Sequence, residues 1–298
     1  MATTSKQAPG KYSDGHPLDE VHYLESKIIL KGDRFTSLDS FTDFARLVRG
    51  AAEDVDIDFS RKGFKGALPQ IREVLFLDTA DFRLYNNAYI LRRRLTYEHG
   101  FAVGAPEFVF KFRHPDLQMS AAVDVRPKLR GDYEIKFKAE ALPLKDQLGG
   151  MRLLYSHNVE FALSRDRNTE STSMANLMRI FPPLQSLRGS RRLAVELVNH
   201  TAVEEVLLDI GRLNFGKGVK AKANVAVWRT RGDEKPLVGE FAFQCKFQRD
   251  DERHAVAMKR CERFFLALQD AAKDWVALGL TKTGAVYRLK GNPPQAHE

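Results

Sequence analysis

Residues Phe76–Arg94 read FLDTADFRLYNNAYILRRR. Asp78 and Thr79 are residue types that shape turns and caps through their side-chain oxygens. From Ala88 to Arg94 the pattern alternates with period two, which predicts a strand. Side chains two apart on a strand share a face, so Arg92 and Arg94 point the same way. The same alternation recurs at Tyr23–Leu30, Phe108–Arg113, Tyr133–Lys138, Leu193–Val198, Val206–Ile210 and Val238–Gln248, so the chain is expected to be rich in strands.

These strands separate charge from apolar bulk. Phe108, Phe110 and Phe112 take one face while Lys111 and Arg113 take the other. Phe241, Phe243, Cys245 and Phe247 oppose Glu240, Ala242, Gln244 and Lys246. Tyr23, Glu25 and Lys27 share a face, as do Glu134, Lys136 and Lys138. One architecture that satisfies the split is an open antiparallel sheet with its charged face in water. The other is an α+β fold, a closed or nearly closed antiparallel β-barrel with helices packed outside and the charges lining the interior. Charge in an interior is tolerated where it pairs or binds ions, so such a barrel is expected to receive a polyanion, and spare carboxylates could hold a divalent metal.

Helical spacing is found at Phe41, Phe44, Leu47 and Val48, opened by Ser37 or Ser40 and closed by Gly50. A longer stripe runs through Ala255, Met258, Cys261, Phe264, Phe265, Leu268, Ala272, Trp275 and Leu278, with Gly279 to stop it. Residues 1–17 and 291–298 lack periodicity and read as mobile tails around a single domain at 18–290. The segment 140–190 mixes a helical run, Met174–Ile180, with Pro182 and Pro183 and has no secure assignment.

Composition excludes several classes. No apolar run approaches a membrane span and the polar start lacks the core of a secretion signal, so the expected location is cytoplasmic with no membrane partner. The two cysteines, Cys245 and Cys261, fit a reducing compartment and read as buried thiols. The eight histidines show no metal-ligand spacing, and GxGxxG and GxxxxGK[ST] are absent. The net charge of +8 favours an acidic partner.

In their order these segments resemble the CYTH domain of the triphosphate tunnel metalloenzyme superfamily, which includes thiamine triphosphatases, inorganic tripolyphosphatases, class IV adenylyl cyclases and some RNA triphosphatases. YLESK resembles the family's opening E-x-E-x-K strand at Glu25 and Lys27, with Tyr23 in place of the first glutamate. Phe76–Arg94 is similar to its Phe, Asp and Thr turn followed by R-x-R, and FKFRH to its next basic strand. Glu134, Arg192, Asp209 and Lys282 follow in the family's order. The resemblance spans most of 20–290, with 140–190 divergent or inserted.

It implies a substrate-binding set of Lys27, Arg92, Arg94, Lys111, Arg113, Arg192, Lys246 and Lys282. It further implies Glu25 and Lys27 as catalytic residues, and Mg or Mn held by Glu25, Glu134, Asp209 and Glu240. The late strand departs from the family's E-x-E, since Ala242 and Gln244 follow Glu240. Losing carboxylates threatens turnover before binding, because basic residues alone can hold phosphates. Three functions are therefore carried forward. The first is binding with slow metal-dependent hydrolysis of a triphosphate-containing substrate: tripolyphosphate, thiamine triphosphate or a nucleoside triphosphate. The second is a non-catalytic polyphosphate- or nucleotide-binding protein. The last is a nucleic-acid binder, disfavoured because aromatic and basic residues fall on opposite strand faces.

Overall fold

The computed structural model describes residues 20–163, 172–246, 252–291, 293 and 297–298. The chain runs through β1 (Tyr23–Leu30), α1 (Leu38–Glu53), β2 (Asp58–Ser60), β3 (Gln70–Asp78), β4 (Tyr89–Glu98) and β5 (Phe101–His114). It continues through α2 (Leu117–Ala121), β6 (Tyr133–Leu142), β7 (Arg152–Ala162), β8 (Thr172–Ser173), α3 (Met174–Ile180) and β9 (Ala194–Leu197). The last elements are β10 (Val203–Gly216), β11 (Val219–Thr230), β12 (Pro236–Lys246), α4 (Glu252–Ala271) and α5 (Lys282–Tyr287).

Nine of the strands close on themselves in the order β10, β11, β12, β1, β6, β7, β5, β4 and β3, with β3 pairing back onto β10 from Val74–Val203 to Gln70–Leu207. Every neighbouring pair in the ring is antiparallel except β1 with β6. Closure leaves no free edge in the ring, which removes the template for pairing with other chains. The expected closed antiparallel architecture is thus the one observed. β2 extends the sheet beside β10, and β9 and β8 extend it beyond β3.

The apolar strand faces point outward and are covered. Under α1 and α4, Phe44, Phe241, Phe243 and Phe264 form one cluster with the small residues Ala221 and Ala223. Under α3 and the 3-10 turns of Pro182–Ser190, Phe108, Phe110 and Phe161 meet Phe181 and Leu184. A third cluster lies inside the ring at one end. There Ile29, Val74, Phe76, Ile90, Trp228 and Val238 pack with Tyr85, Val286 and Tyr287, so the apolar C-terminal part of α5 plugs that end of the lumen. Strands meeting this plug are apolar on both faces, which is why β3 reads as a continuous run and not as an alternation.

Several expectations need correction. α1 is capped by Ser37, whose Oγ accepts from the Asp39 amide at 3.2 Å, but the helix passes through Gly50 to Glu53. The long C-terminal helix ends at Ala271; Trp275 belongs to the turn beyond it, edge-on to Phe35 and Phe44. The segment 140–190, expected to be divergent or inserted and left without an assignment, contributes β7, a member of the ring between β5 and β6. Within 291–298, expected as a tail, His297 and Glu298 are buried. Cys245 and Cys261 are buried free thiols, 3.6 Å apart between α4 and β12. The expected tail at 1–17 and the end of the Val238–Gln248 run lie outside the described residues.

Candidate phosphate-binding site

The turn between β3 and β4 aims the first arginines. Asp78 is buried where β3 ends, and its carboxylate accepts from the amides of Thr79 (2.7 Å), Leu84 (2.8 Å) and Tyr85 (2.9 Å) and from the Tyr287 hydroxyl (3.1 Å). Thr79 Oγ1 donates to Asp81 at 2.8 Å and accepts from the Arg83 amide at 2.9 Å. These bonds fix the exit of β3, the entry of β4 and the seat of α5 together. Burial pushes the Asp78 carboxyl up to about 6, against the pull of the backbone donors. Both residues are turn-formers, as expected.

The side chains of alternate residues then enter a cavity of about 230 Å³ enclosed by the ring. Its wall carries seven cations, Lys27, Arg72, Arg92, Arg94, Lys111, Lys138 and Lys282, against four carboxylates, Glu25, Glu160, Glu205 and Glu240. Glu140 lies behind the wall as a fifth. Its Oε2 is 3.1 Å from Lys27 and 3.7 Å from Arg113, while its Oε1 accepts from Lys111 and, at 2.6 Å, from Ser156. Positive charge remains in excess on the lining.

Two networks hold the wall. On one side Glu25 meets Lys27 at 3.0 Å and Lys138 at 3.5 Å. Burial alone would raise the Glu25 carboxyl, but Lys27 and Lys138 hold it at about 2. Burial would likewise lower Lys27, and Glu140 and Glu25 keep it above its ordinary value. On the other side Glu205 takes Arg72 at 2.5 Å, Lys282 at 3.3 Å and the Trp228 indole N–H at 2.8 Å, and Lys282 also meets Glu240 at 2.7 Å. Burial opposes ionisation of Glu205 too, yet Lys282 and Arg72 keep it well below the usual carboxylate range.

Two cations are less well served. Burial pulls the Lys111 ammonium down to about 7, further than Glu140 restores it, with Lys27 and Arg113 adding repulsion. Arg92 has no ion-pair partner among the described residues, and its Nε is buried without a hydrogen bond. Burial, then Arg94, lowers its guanidinium to about 10.

Of the residues expected from sequence, Glu25, Lys27, Arg92, Arg94, Lys111, Glu240 and Lys282 line the cavity together. The others do not. Arg113 is buried against Glu140 and Glu298, which makes it part of the wall's support. Lys246 stands exposed where β12 ends, 5.7 Å over the Tyr23 ring. Glu134 is mostly exposed and paired with Lys136 at 2.9 Å, and Asp209 is paired with Lys222 at 3.0 Å. Arg192 is exposed before β9, a strand outside the ring. Arg72, Lys138, Glu140, Glu160 and Glu205 are additions. Lys138 already shared the charged face of Glu134 and Lys136 on β6 without being counted in the site, and one further alternation would have found Glu140; Arg72 and Glu205 carried no such signal.

The resemblance implies a divalent metal, and the donor set decides whether one fits. Of the four expected ligands, Glu25 and Glu240 reach the cavity, and each is already neutralised by lysine. No group of three or more His, Cys, Asp or Glu side chains converges among the described residues. These residues build no dedicated cage, and Mg, which is commonly held by one or two carboxylates with phosphate oxygens and water, could use Glu25 and Glu240 only if they left their lysines.

No protein-family profile and no curated protein matches the chain. Solved structures do. A protein from Hippeastrum, named as an adenylyl cyclase and described as having a dominant triphosphatase activity, is similar at 13% identity over 93% of this chain and all of that one, with a TM-score of 0.40. A protein from Bacillus halodurans carrying an adenylate cyclase assignment is similar at 12% identity over 83% of this chain and 90% of that one, with a TM-score of 0.34. One from Vibrio parahaemolyticus with the same assignment is similar at 8% over 89% and 98%, with a TM-score of 0.35. The fold here is read from the closed ring and its charged lumen. No helix among the described residues is long and apolar enough to cross a membrane.

Proposed function

We propose that the lumen binds the end of a phosphate-rich anion, a triphosphate-like run, using the protein's own cations. The guanidinium of Arg92, partly buried in the wall and without an ion-pair partner among the described residues, carries this reading. An uncompensated charge inside a wall is costly unless a ligand supplies the counter-charge, and phosphate oxygens match a guanidinium's donors two at a time. Arg94, Lys111 and Lys27 line the same cavity. Its volume is below the ~300 Å³ at which pockets begin to enclose drug-sized ligands, so it suits a few phosphoryl groups better than a whole nucleotide.

Metal-dependent hydrolysis, the activity that the resemblance adds, would require Glu25 and Glu240 to exchange lysine partners for a cation. The donor set gives that exchange little support. Titration calorimetry with orthophosphate, pyrophosphate and tripolyphosphate, in chelator and in magnesium, tests the proposal. Tripolyphosphate should bind most tightly in chelator, and salt should weaken it. Equal affinity for orthophosphate, or binding that appears only with magnesium, would overturn it. Magnesium-dependent phosphate release that is lost in Glu25→Gln would restore the hydrolase reading.

A further inference from the structure

The lumen face does not stop at the mouth. Along β11, Val219, Ala221, Ala223 and Val225 are buried beneath the helices, and the alternate residues Lys220, Lys222 and Asn224 share the opposite face. Asn224 lines the lumen cavity, Lys222 is exposed one alternation further on, and Lys220 lines a separate hollow on the surface with Lys62, Phe64 and Arg212. An adjoining hollow adds Arg49, Arg61 and Lys65. β2, paired on β10 from Asp58–Asn214 to Ser60–Arg212, widens the platform beyond the ring.

Charge on this platform is nearly one-sided. Asp58 is the carboxylate lining both hollows, and Asp209 is taken up by Lys222. Lys62, Arg212 and Lys220 have no ion-pair partner among the described residues, and the Nε of Arg61 is buried without a hydrogen bond. Solvated surface cations usually come with carboxylates interspersed, as they do elsewhere on this chain at Arg46 with Asp43 and Arg83 with Asp81.

We infer that the β10–β11 face, with the 61–65 loop, is a second anion-binding site continuous with the lumen, and that its ligand is a linear polyphosphate whose tip occupies the lumen. The inference rests on the proposed function. Asn224 and Lys220 are four residues apart on an extended strand, about 13 Å, so a chain leaving the lumen passes Lys222 before reaching Lys220, Arg212 and Lys62. Phe64 is the one partly exposed ring in the hollows, too few for the base-stacking platforms of single-stranded nucleic acid.

The experiment compares tripolyphosphate with long-chain polyphosphate, at equal concentrations of chain ends, on the full chain. Wild type should bind the long chain at least about tenfold more tightly, the yield of several exposed ionic contacts. The triple variant Lys62→Ala, Arg212→Ala, Lys220→Ala should lose that advantage and keep its tripolyphosphate affinity; all three side chains are exposed or line open hollows, and the single variant Lys220→Gln should lose part of it. Lys27→Ala with Arg92→Ala should weaken both ligands. Equal affinity of wild type for the two ligands overturns the continuous site while leaving the lumen proposal standing. Long-chain binding that ignores the lumen variant overturns the continuity, whereas tripolyphosphate binding that ignores it overturns the proposed function as well. A 5′-hydroxyl RNA that binds with the same dependence on the triple variant shows a general polyanion surface and overturns the ligand assignment.

Discussion

Arg92 is a residue the fold tolerates at a cost. It loses water and sits beside Arg94, and the more distant Glu205 and Glu107 restore only part of that loss. Arg92→Gln should therefore leave thermal stability unchanged or slightly raised while tripolyphosphate affinity falls at least about tenfold, the loss of one charge-assisted bidentate contact. Thermal melts and calorimetry on the same preparation check both halves. Lys111 gives the site its pH dependence. With its folded value near 7, the ammonium is half discharged at neutrality, and a bound phosphate favours the charged form. Affinity should fall as pH rises through 7, with proton uptake on binding, and Lys111→Arg should flatten the profile; calorimetry in buffers of different ionisation enthalpy measures both. Arg92, Arg94, Lys111 and Lys27 were legible because each lies on a strand with one charged and one apolar face. Arg72 and Glu205 were not, since β3 and β10 also carry residues of the apolar plug and the alternation that betrays a lumen face disappears there.

At the scale of elements, the β3–β4 turn is the most vulnerable joint. Asp78→Ala leaves the amides of Thr79, Leu84 and Tyr85 without their buried acceptor, and a loss of about 3 kcal/mol or more is expected from unsatisfied donors, read by urea denaturation. The β2–β10 pairing depends on Gly211. A Cβ there would lie 2.4 Å from the Phe59 ring and 3.0 Å from the Ser60 carbonyl oxygen, so Gly211→Ala should push β2 off β10 at a cost of about 1–3 kcal/mol. It should also diminish the preference for long chains without weakening tripolyphosphate. β7 shows where element-level reading fails. Its lumen face carries Ser156, Asn158 and Glu160, two of them small neutral groups that bear no charge pattern, although the strand is as integral to the ring as the arginine-bearing β4.

For the molecule as a whole, closure depends on β3 meeting β10, and nothing local in either strand announces that partner. The helices over the outer faces were legible as stripes; the plug was not, because Val286 and Tyr287 lie in a short run whose burial comes entirely from the ring around it. The ring is also stitched between neighbouring strands by ionised carboxylates. Glu25 titrates at about 2 in the folded state against an ordinary value of 4.5, so its contribution is complete above 4.5 and is lost as pH falls through 2. Melting temperature should decline progressively over that window, and Glu25→Gln should shallow the decline. The plugged end has a last consequence. A socket stopped at its base admits a thread only by the tip, so binding counts termini instead of mass. At constant total phosphate, halving the mean chain length should double the protein bound at saturation.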